Sequence, residues 1–109
     1  MDDRSLIENA IFEATGEPFS IRSQEAIGGG CINDAFRLRG DDSRSFFVKS
    51  NRPSYQSAFA AEALALEQIA ATASVRVPAV VAQLQSDTQA YLILEYIDTR
   101  ASRSGDWTL

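Results

Sequence analysis

The sequence contains no histidine and only one cysteine, Cys31, among its 109 residues. A Cys/His zinc site, a Ser-His-Asp triad and a Cys-His pair each need residues that this chain does not have. These catalytic and structural sites are therefore excluded within it. A single cysteine cannot form an internal disulfide, which favours a reducing, cytoplasmic location.

Basic side chains and long apolar runs are also scarce. Ten Lys and Arg residues face fifteen Asp and Glu residues, and the net charge is −5. No basic stripe is present that could neutralise a series of phosphates, so we expect no nucleic-acid partner. The longest nearly uncharged stretch, residues 77–84, is far shorter than the roughly 20 residues that cross a bilayer, so we expect no membrane partner. The acidic residues 1–4 lead into no apolar run, which argues against a secretory signal.

The remaining composition, 45% apolar and 23% charged, is typical of one folded domain. Helical spacing of apolar residues predicts a helix over residues 3–15 that ends at Gly16, and a longer helix over residues 55–72. Strands are predicted over residues 19–27, 31–40, 46–49, 79–85 and 90–97. This order predicts an α+β fold in which a five-stranded antiparallel sheet has an N-terminal helix and one helix inserted after strand three.

Two charged residues in apolar surroundings are candidates for chemistry. Glu62 falls on the same face of the long helix as Phe59 and Leu66, where an unpaired buried carboxylate would be strongly destabilised. Lys49 ends an apolar strand and shares a face of that strand with Phe47. A lysine held by a helix carboxylate is a fixed cation suited to nucleotide phosphates. Alternatively, Glu62 reaches water at the edge of the stripe and Lys49 is a solvated strand-end lysine.

A glycine turn is the third candidate. Gly28, Gly29 and Gly30 lie between two predicted strands, where backbone N–H groups could approach phosphate oxygens. The motif matches neither G-x-x-x-x-G-K-[ST] nor a full G-x-G-x-x-G, and alone it also fits an ordinary hairpin. In the order glycine turn, strand lysine, helix glutamate and final apolar strand, however, the set indicates the upper lobe of a kinase fold.

Several segments resemble, in the same order, those of the fructosamine kinase (ketosamine-3-kinase) family. They are residues 28–36, 46–49, 59–63, 75–78 and 92–96. Aminoglycoside phosphotransferases and choline kinases are wider relatives. The resemblance implies an ATP- and magnesium-dependent kinase that phosphorylates a sugar hydroxyl of ketosamines, including glycated proteins, in protein deglycation and repair. It also implies that residues 1–97 form the N-terminal, nucleotide-binding lobe, and that residues 98–109 are a connector and the start of a truncated helix of a second lobe.

The resemblance also implies roles for individual residues. Lys49 would hold the α and β phosphates, Glu62 would orient Lys49, and Phe47 would cover the adenine. The backbone of Glu95 and Ile97 would contact the adenine edge. The loop that covers the phosphates would comprise Gly28, Gly29, Gly30, Cys31 and Asn33. The family's catalytic aspartate and metal ligands belong to the second lobe, so we expect no catalytic residue, no metal ligand and no turnover in this chain alone.

Two other functions remain open from the sequence. The lobe could be a non-catalytic interaction module that uses its exposed inter-lobe surface, or a structural α+β domain in which Lys49 and Glu62 are coincidental. Self-association is a further expectation, either through that apolar surface or through a Cys31 disulfide between two chains, because backbone N–H groups beside Cys31 could stabilise a thiolate.

Overall fold

The computed structural model describes residues 3–27, 34–72 and 76–97. Its elements are α1 (Arg4–Thr15), β1 (Ile21–Ala26), β2 (Asp34–Gly40), β3 (Ser45–Asn51), a 3₁₀ turn (Pro53–Tyr55), α2 (Gln56–Thr72), β4 (Val80–Gln85) and β5 (Ala90–Glu95). The strands form one antiparallel sheet in the order β1-β2-β3-β5-β4. The predicted α+β class, the five-stranded sheet and the positions of both helices are confirmed.

Helix α1 ends where the sequence predicts, at a glycine. Gly16 adopts the left-handed conformation, with φ of 83°, and its N–H donates to the carbonyl oxygen of Phe12 at 2.8 Å. Glycine takes this conformation without the steric penalty that a Cβ imposes, which is why it ends many helices. Ile7 and Ile11, four residues apart, are the buried positions of the helix and pack against the sheet.

The sheet has one helix on each face, and alternation along β3 divides the two cores. Phe46 and Val48 point to the side of α1, whereas Phe47 packs on the side of α2. The α1 face buries Ile7, Ile11, Phe19, Ile21, Leu38, Phe46, Val48, Tyr91 and Ile93. The α2 face buries Phe59, Ala63, Ala90, Leu92 and Leu94. Since β5 contributes to both cores, its residues from Ala90 to Leu94 are all buried.

The apolar stripe of α2 is buried over a shorter length than its spacing suggests. Phe59 and Ala63 are buried and Leu66 packs at the edge of the core, but Ile69 is 41% exposed. A helix of 17 residues is about 25 Å long, whereas a strand of six residues spans about 20 Å. The last turn of α2 therefore extends past the sheet that it packs on.

The boundaries differ from the sequence prediction at several strand ends. Strand β3 continues to Asn51, two residues beyond Lys49, and β5 ends at Glu95 rather than residue 97. Strand β3 is longer because its ladder with β5 extends to the pair Asn51 and Ala90. The predicted connector and helix start over residues 98–109 lie outside the described residues.

Gly40 allows the end of β2 to approach the core closely. A Cβ at this position would lie 2.3 Å from Cε1 of Phe19, whose ring packs edge-on against Phe46 at 5.0 Å. We predict that Gly40→Ala lowers the free energy of unfolding by about 1–3 kcal/mol, because a packed ring has to move. Urea denaturation measures this change. In a Phe19→Leu background the same substitution should be less destabilising, and equal stability of Gly40→Ala and the parent would refute the predicted clash.

Candidate nucleotide site

The predicted contact between Lys49 and Glu62 is present on the α2 face. Lys49 Nζ lies 2.7 Å from Oε2 and 2.9 Å from Oε1 of Glu62. The two side chains are 22% and 34% exposed, so the pair lies at the border between the core and solvent. An ammonium has three N–H donors. Both carboxylate oxygens of Glu62 accept from Nζ, and the ammonium retains a donor for an anionic ligand.

The neighbouring core explains why these two side chains meet. Alternation along β3 directs Lys49 to the α2 face, between Ala35 of β2 and Leu92 of β5. Burial of Phe59 and Ala63 fixes the rotation of α2, and Glu62 comes directly before Ala63. Partly exposed ion pairs contribute little to stability. We therefore interpret this pair as a device that positions the lysine.

Phe47 provides an aromatic surface two residues before Lys49. It is the register partner of Arg37 on β2 and of Leu94 on β5, and it packs at the edge of the α2-face core. The side chain is half-buried, so part of the ring is uncovered. Aromatic rings bind flat apolar groups well. The α2 face thus presents a cation and an aromatic surface side by side on one strand.

Glu95 uses its side chain to fix the chain before β4. Its Oε1 accepts from the N–H of Ala79 at 3.1 Å, and its Oε2 pairs with Arg76 at 3.2 Å. The N–H of Glu95 donates to the carbonyl oxygen of Ala79 at 2.8 Å. Since that N–H is already used, it is not available to a ligand at this edge. Ile97 lies two residues beyond the end of β5 and is half-buried.

The sequence reasoning missed a contact between Arg37 and Tyr96. The guanidinium carbon of Arg37 lies 4.2 Å from the ring centroid of Tyr96, and Nε donates to Ser45 Oγ at 3.2 Å. An ion pair of 3.8 Å joins Arg37 to Glu25. These contacts hold the residue after β5 against β2. The signal available in the sequence was the alternation of residues 34–40, which places Arg37 on the face of Ala35.

The predicted phosphate loop falls between β1 and β2 in the sequence. Gly28, Gly29, Gly30, Cys31 and Asn33 all lie outside the described residues. The N–H of Ile27 donates to the carbonyl oxygen of Ala35 at 2.9 Å, so pairing of β1 with β2 reaches the residue before the glycines. Ala35 is also the register partner of Lys49. The described chain on both sides of the glycines therefore lies close to Lys49.

A cleft of about 430 Å³ lies on the face of the sheet opposite to Lys49, beside α1. The carboxylate of Asp3 lines this cleft and accepts hydrogen bonds from Ser86 and Tyr91, so Asp3 joins α1 to β5.

Within the described ranges, no three His, Cys, Asp or Glu side chains come together as a metal site. No helix in this part of the chain is long and apolar enough to span a membrane.

Comparisons with known proteins agree with the geometry. A probable ketoamine kinase of Synechocystis is 37% identical over 101 residues, which are 93% of this chain and 34% of the relative. The chloroplastic protein-ribulosamine 3-kinase of Arabidopsis thaliana is 39% identical over 89 residues, 81% of this chain and 27% of the relative. The crystal structure of a Haemophilus somnus protein assigned as a fructosamine-3-kinase superposes with a TM-score of 0.79 at 33% identity. The superposition covers 84% of this chain and 31% of the Haemophilus somnus chain.

The chain thus spans about a third of the length of the relatives that it matches. The sequence profile of the family described as fructosamine kinase matches residues 4–109. The match includes α1, the strand that carries Lys49 and the helix that carries Glu62. This chain belongs to the fructosamine kinase family.

Proposed function

We propose that this chain is the ATP-binding lobe of a kinase that phosphorylates a sugar hydroxyl of ketosamines. The observation that carries the proposal is the ion pair between Lys49 and Glu62, which holds a cation at a fixed point of the α2 face. Kinase lobes hold the phosphates of ATP with a strand lysine that a helix glutamate positions. The relatives are named ketoamine kinases and ribulosamine 3-kinases, which supports the same class of acceptor.

The described residues fit a nucleotide along β3. Lys49 would bind the α and β phosphates, and Phe47 would contact the adenine. The Glu95 carbonyl and the Ile97 N–H would contact the adenine edge, since the Glu95 N–H is used by Ala79. The loop that contains Gly28, Gly29, Gly30, Cys31 and Asn33 would cover the phosphates. Magnesium bound with ATP would reduce the negative charge of the phosphates, and the family places its protein ligands in the second lobe.

The acceptor that we propose is a ketosamine on a small amine or on a glycated protein. Phosphorylation would destabilise the sugar adduct, which makes protein deglycation and repair the proposed role. Cytoplasm is the proposed location, although the plant relatives are named chloroplastic. These finer assignments rest on the family, because the residues of the α2 face bear on the proposed nucleotide and not on the acceptor.

We predict that the 109-residue chain alone transfers no phosphate to a ketosamine. The reaction needs a positioned base and metal ligands, which the family places in its second lobe. An assay with Mg·ATP and a glycated lysine peptide should show no product above the buffer rate. As a positive control, residues 4–97 can replace the matching segment of the Synechocystis relative, and this chimera should be active. Turnover by the chain alone would contradict the prediction.

A further inference from the structure

The β1-β2-β3 end of the sheet carries an arginine-lined cleft that the nucleotide site does not use. The cleft has a volume of about 380 Å³, and four arginines line it: Arg22, Arg37, Arg39 and Arg44. These are four of the ten basic residues in a chain whose net charge is −5. Such local concentration of one sign in an oppositely charged chain creates a positive potential that attracts anions.

Two of the four guanidinium groups are already engaged. Arg44 pairs with Asp42 at 2.7 Å and donates to the carbonyl oxygen of Pro18 at 2.6 Å. The side-chain hydrogen bond from Arg44 lowers the pKa of Asp42, so the Asp42 carboxylate stays charged at neutral pH and remains the partner of Arg44. Arg37 is held by Tyr96, Ser45 and Glu25, as described above.

Arg22 and Arg39 are different. Both side chains are exposed, and neither has a hydrogen bond or an ion pair with any residue that the structure describes. They approach the cleft from neighbouring strands. Asp41 also lines the cleft, but no ion pair within 4 Å joins it to either arginine. Arg22 and Arg39 therefore line one cleft, and neither forms an ion pair with a described carboxylate.

A β-bulge explains why Ser23 lines the cleft together with Arg22. The register moves from the pair Ile21 and Gly40 to the pair Ser23 and Arg39, so Arg22 is an extra residue on β1. A bulge redirects the side chains next to it. Without it, strict alternation would place Arg22 and Ser23 on opposite faces, yet both line the cleft.

Hydroxyl groups complete the lining. Ser23, Ser43 and Ser45 contribute to the cleft, and Ser45 Oγ accepts from Arg37 Nε, which leaves its own hydrogen free to donate. Guanidinium groups bind phosphate through paired N–H donors. A tetrahedral oxyanion can accept from donors that approach from several directions, as these do from three strands, whereas a carboxylate offers acceptors in one plane. The lining therefore matches a phosphate group best.

We propose that this cleft binds a phosphate group, through Arg22 and Arg39, at a site separate from the nucleotide site. Ser45 at the cleft and Lys49 are four residues apart on β3, which corresponds to about 13 Å along a strand. None of the residues assigned to the nucleotide lines the cleft, which lies next to Phe47 on the side away from the lysine that would hold the phosphates of ATP. Its ligand would be a free phosphate or the phosphate of a small ester, bound in addition to ATP.

The test is a titration of the 109-residue chain with inorganic phosphate, followed by ¹H–¹⁵N NMR at ionic strength matched with sodium chloride. We expect saturable shifts of the Arg22, Ser23 and Arg39 amides. Arg22→Gln and Arg39→Gln should each weaken binding about tenfold, the loss expected for one charged hydrogen-bond donor. Arg52→Gln, which removes an exposed arginine elsewhere, and Lys49→Met should leave the binding at this cleft unchanged.

Three results would overturn the proposal. Shifts that do not saturate, or affinity that Arg52→Gln reduces as much as Arg39→Gln, would mean only general charge attraction. Equal affinity for acetate would mean that the lining does not select a tetrahedral anion. Titration with glycerol 3-phosphate separates the two sources of the ligand, because preference for the ester would identify a phosphorylated small molecule and equal affinity would identify phosphate itself. Dispersion of the amide spectrum verifies that each variant is folded.

Discussion

Replacing Lys49 by methionine is expected to weaken binding of Mg·ATP by this chain about 10- to 100-fold, the loss expected for a hydrogen bond to a charged group. Methionine keeps the length and apolar stem of the side chain but removes the ammonium that Glu62 holds. Isothermal titration calorimetry measures the change. Arg52→Gln is the matched control, since it removes the same charge from an exposed position and should leave the affinity nearly unchanged.

A double-mutant cycle sharpens this prediction. If Glu62 acts only by positioning Lys49, then Glu62→Gln weakens binding in the parent chain but has no further effect in the Lys49→Met background. Independent, additive losses would mean that Glu62 contributes to nucleotide binding by another route. Unchanged affinity in Lys49→Met would contradict the assigned role of the lysine.

Phe59→Ala is expected to lower the free energy of unfolding by about 3–5 kcal/mol, the usual loss when a buried phenylalanine is truncated. Phe59 is 1% exposed, packs in the α2-face core and contacts Tyr55 with ring centroids 6.3 Å apart. Small domains have a total stability of about 5–15 kcal/mol, so this change removes a large part of it. Urea denaturation followed by far-UV circular dichroism measures the loss.

The control for this prediction lies on the same helix. Leu64 is 56% exposed, and Leu64→Ala should change stability by only about 0.5 kcal/mol. Phe59→Leu, which keeps most of the volume, should be intermediate if Phe59→Ala does not fold. Equal effects of Phe59→Ala and Leu64→Ala would show that the α2 face does not anchor the helix. The position of Glu62 would then also be left unexplained.

The sequence contained most of what was needed to place Lys49 and Glu62. Alternation along β3 assigns Lys49 to the face of Phe47, and the helical phase of Phe59 and Ala63 assigns Glu62 to the inner side of α2. Both patterns are local, so they can be read without knowledge of tertiary contacts. In the structure α2 packs on β4 and β5, and the long side chains of Lys49 and Glu62 connect β3 to this helix.

Features that depend on neighbouring strands were not predictable in the same way. The contact of Arg37 with Tyr96 requires β2 and the end of β5 to flank β3, which periodicity does not specify. The bulge at Arg22 changes the register by one residue, and β1 itself contains no glycine or proline that signals it. The exposure of Ile69 follows from the relative lengths of α2 and the strands, a property of the assembled fold.

The most direct test of the proposed nucleotide site is a titration of the labelled chain with Mg·ATP, mapped by ¹H–¹⁵N NMR. Binding on the α2 face should shift the amides of Ala35, Phe47 and Lys49, with much smaller changes on the α1 face at Ile11. In Lys49→Met the same shifts should need about 10- to 100-fold more Mg·ATP to saturate. Shifts that concentrate around α1, or that persist unchanged in Lys49→Met, would contradict the site.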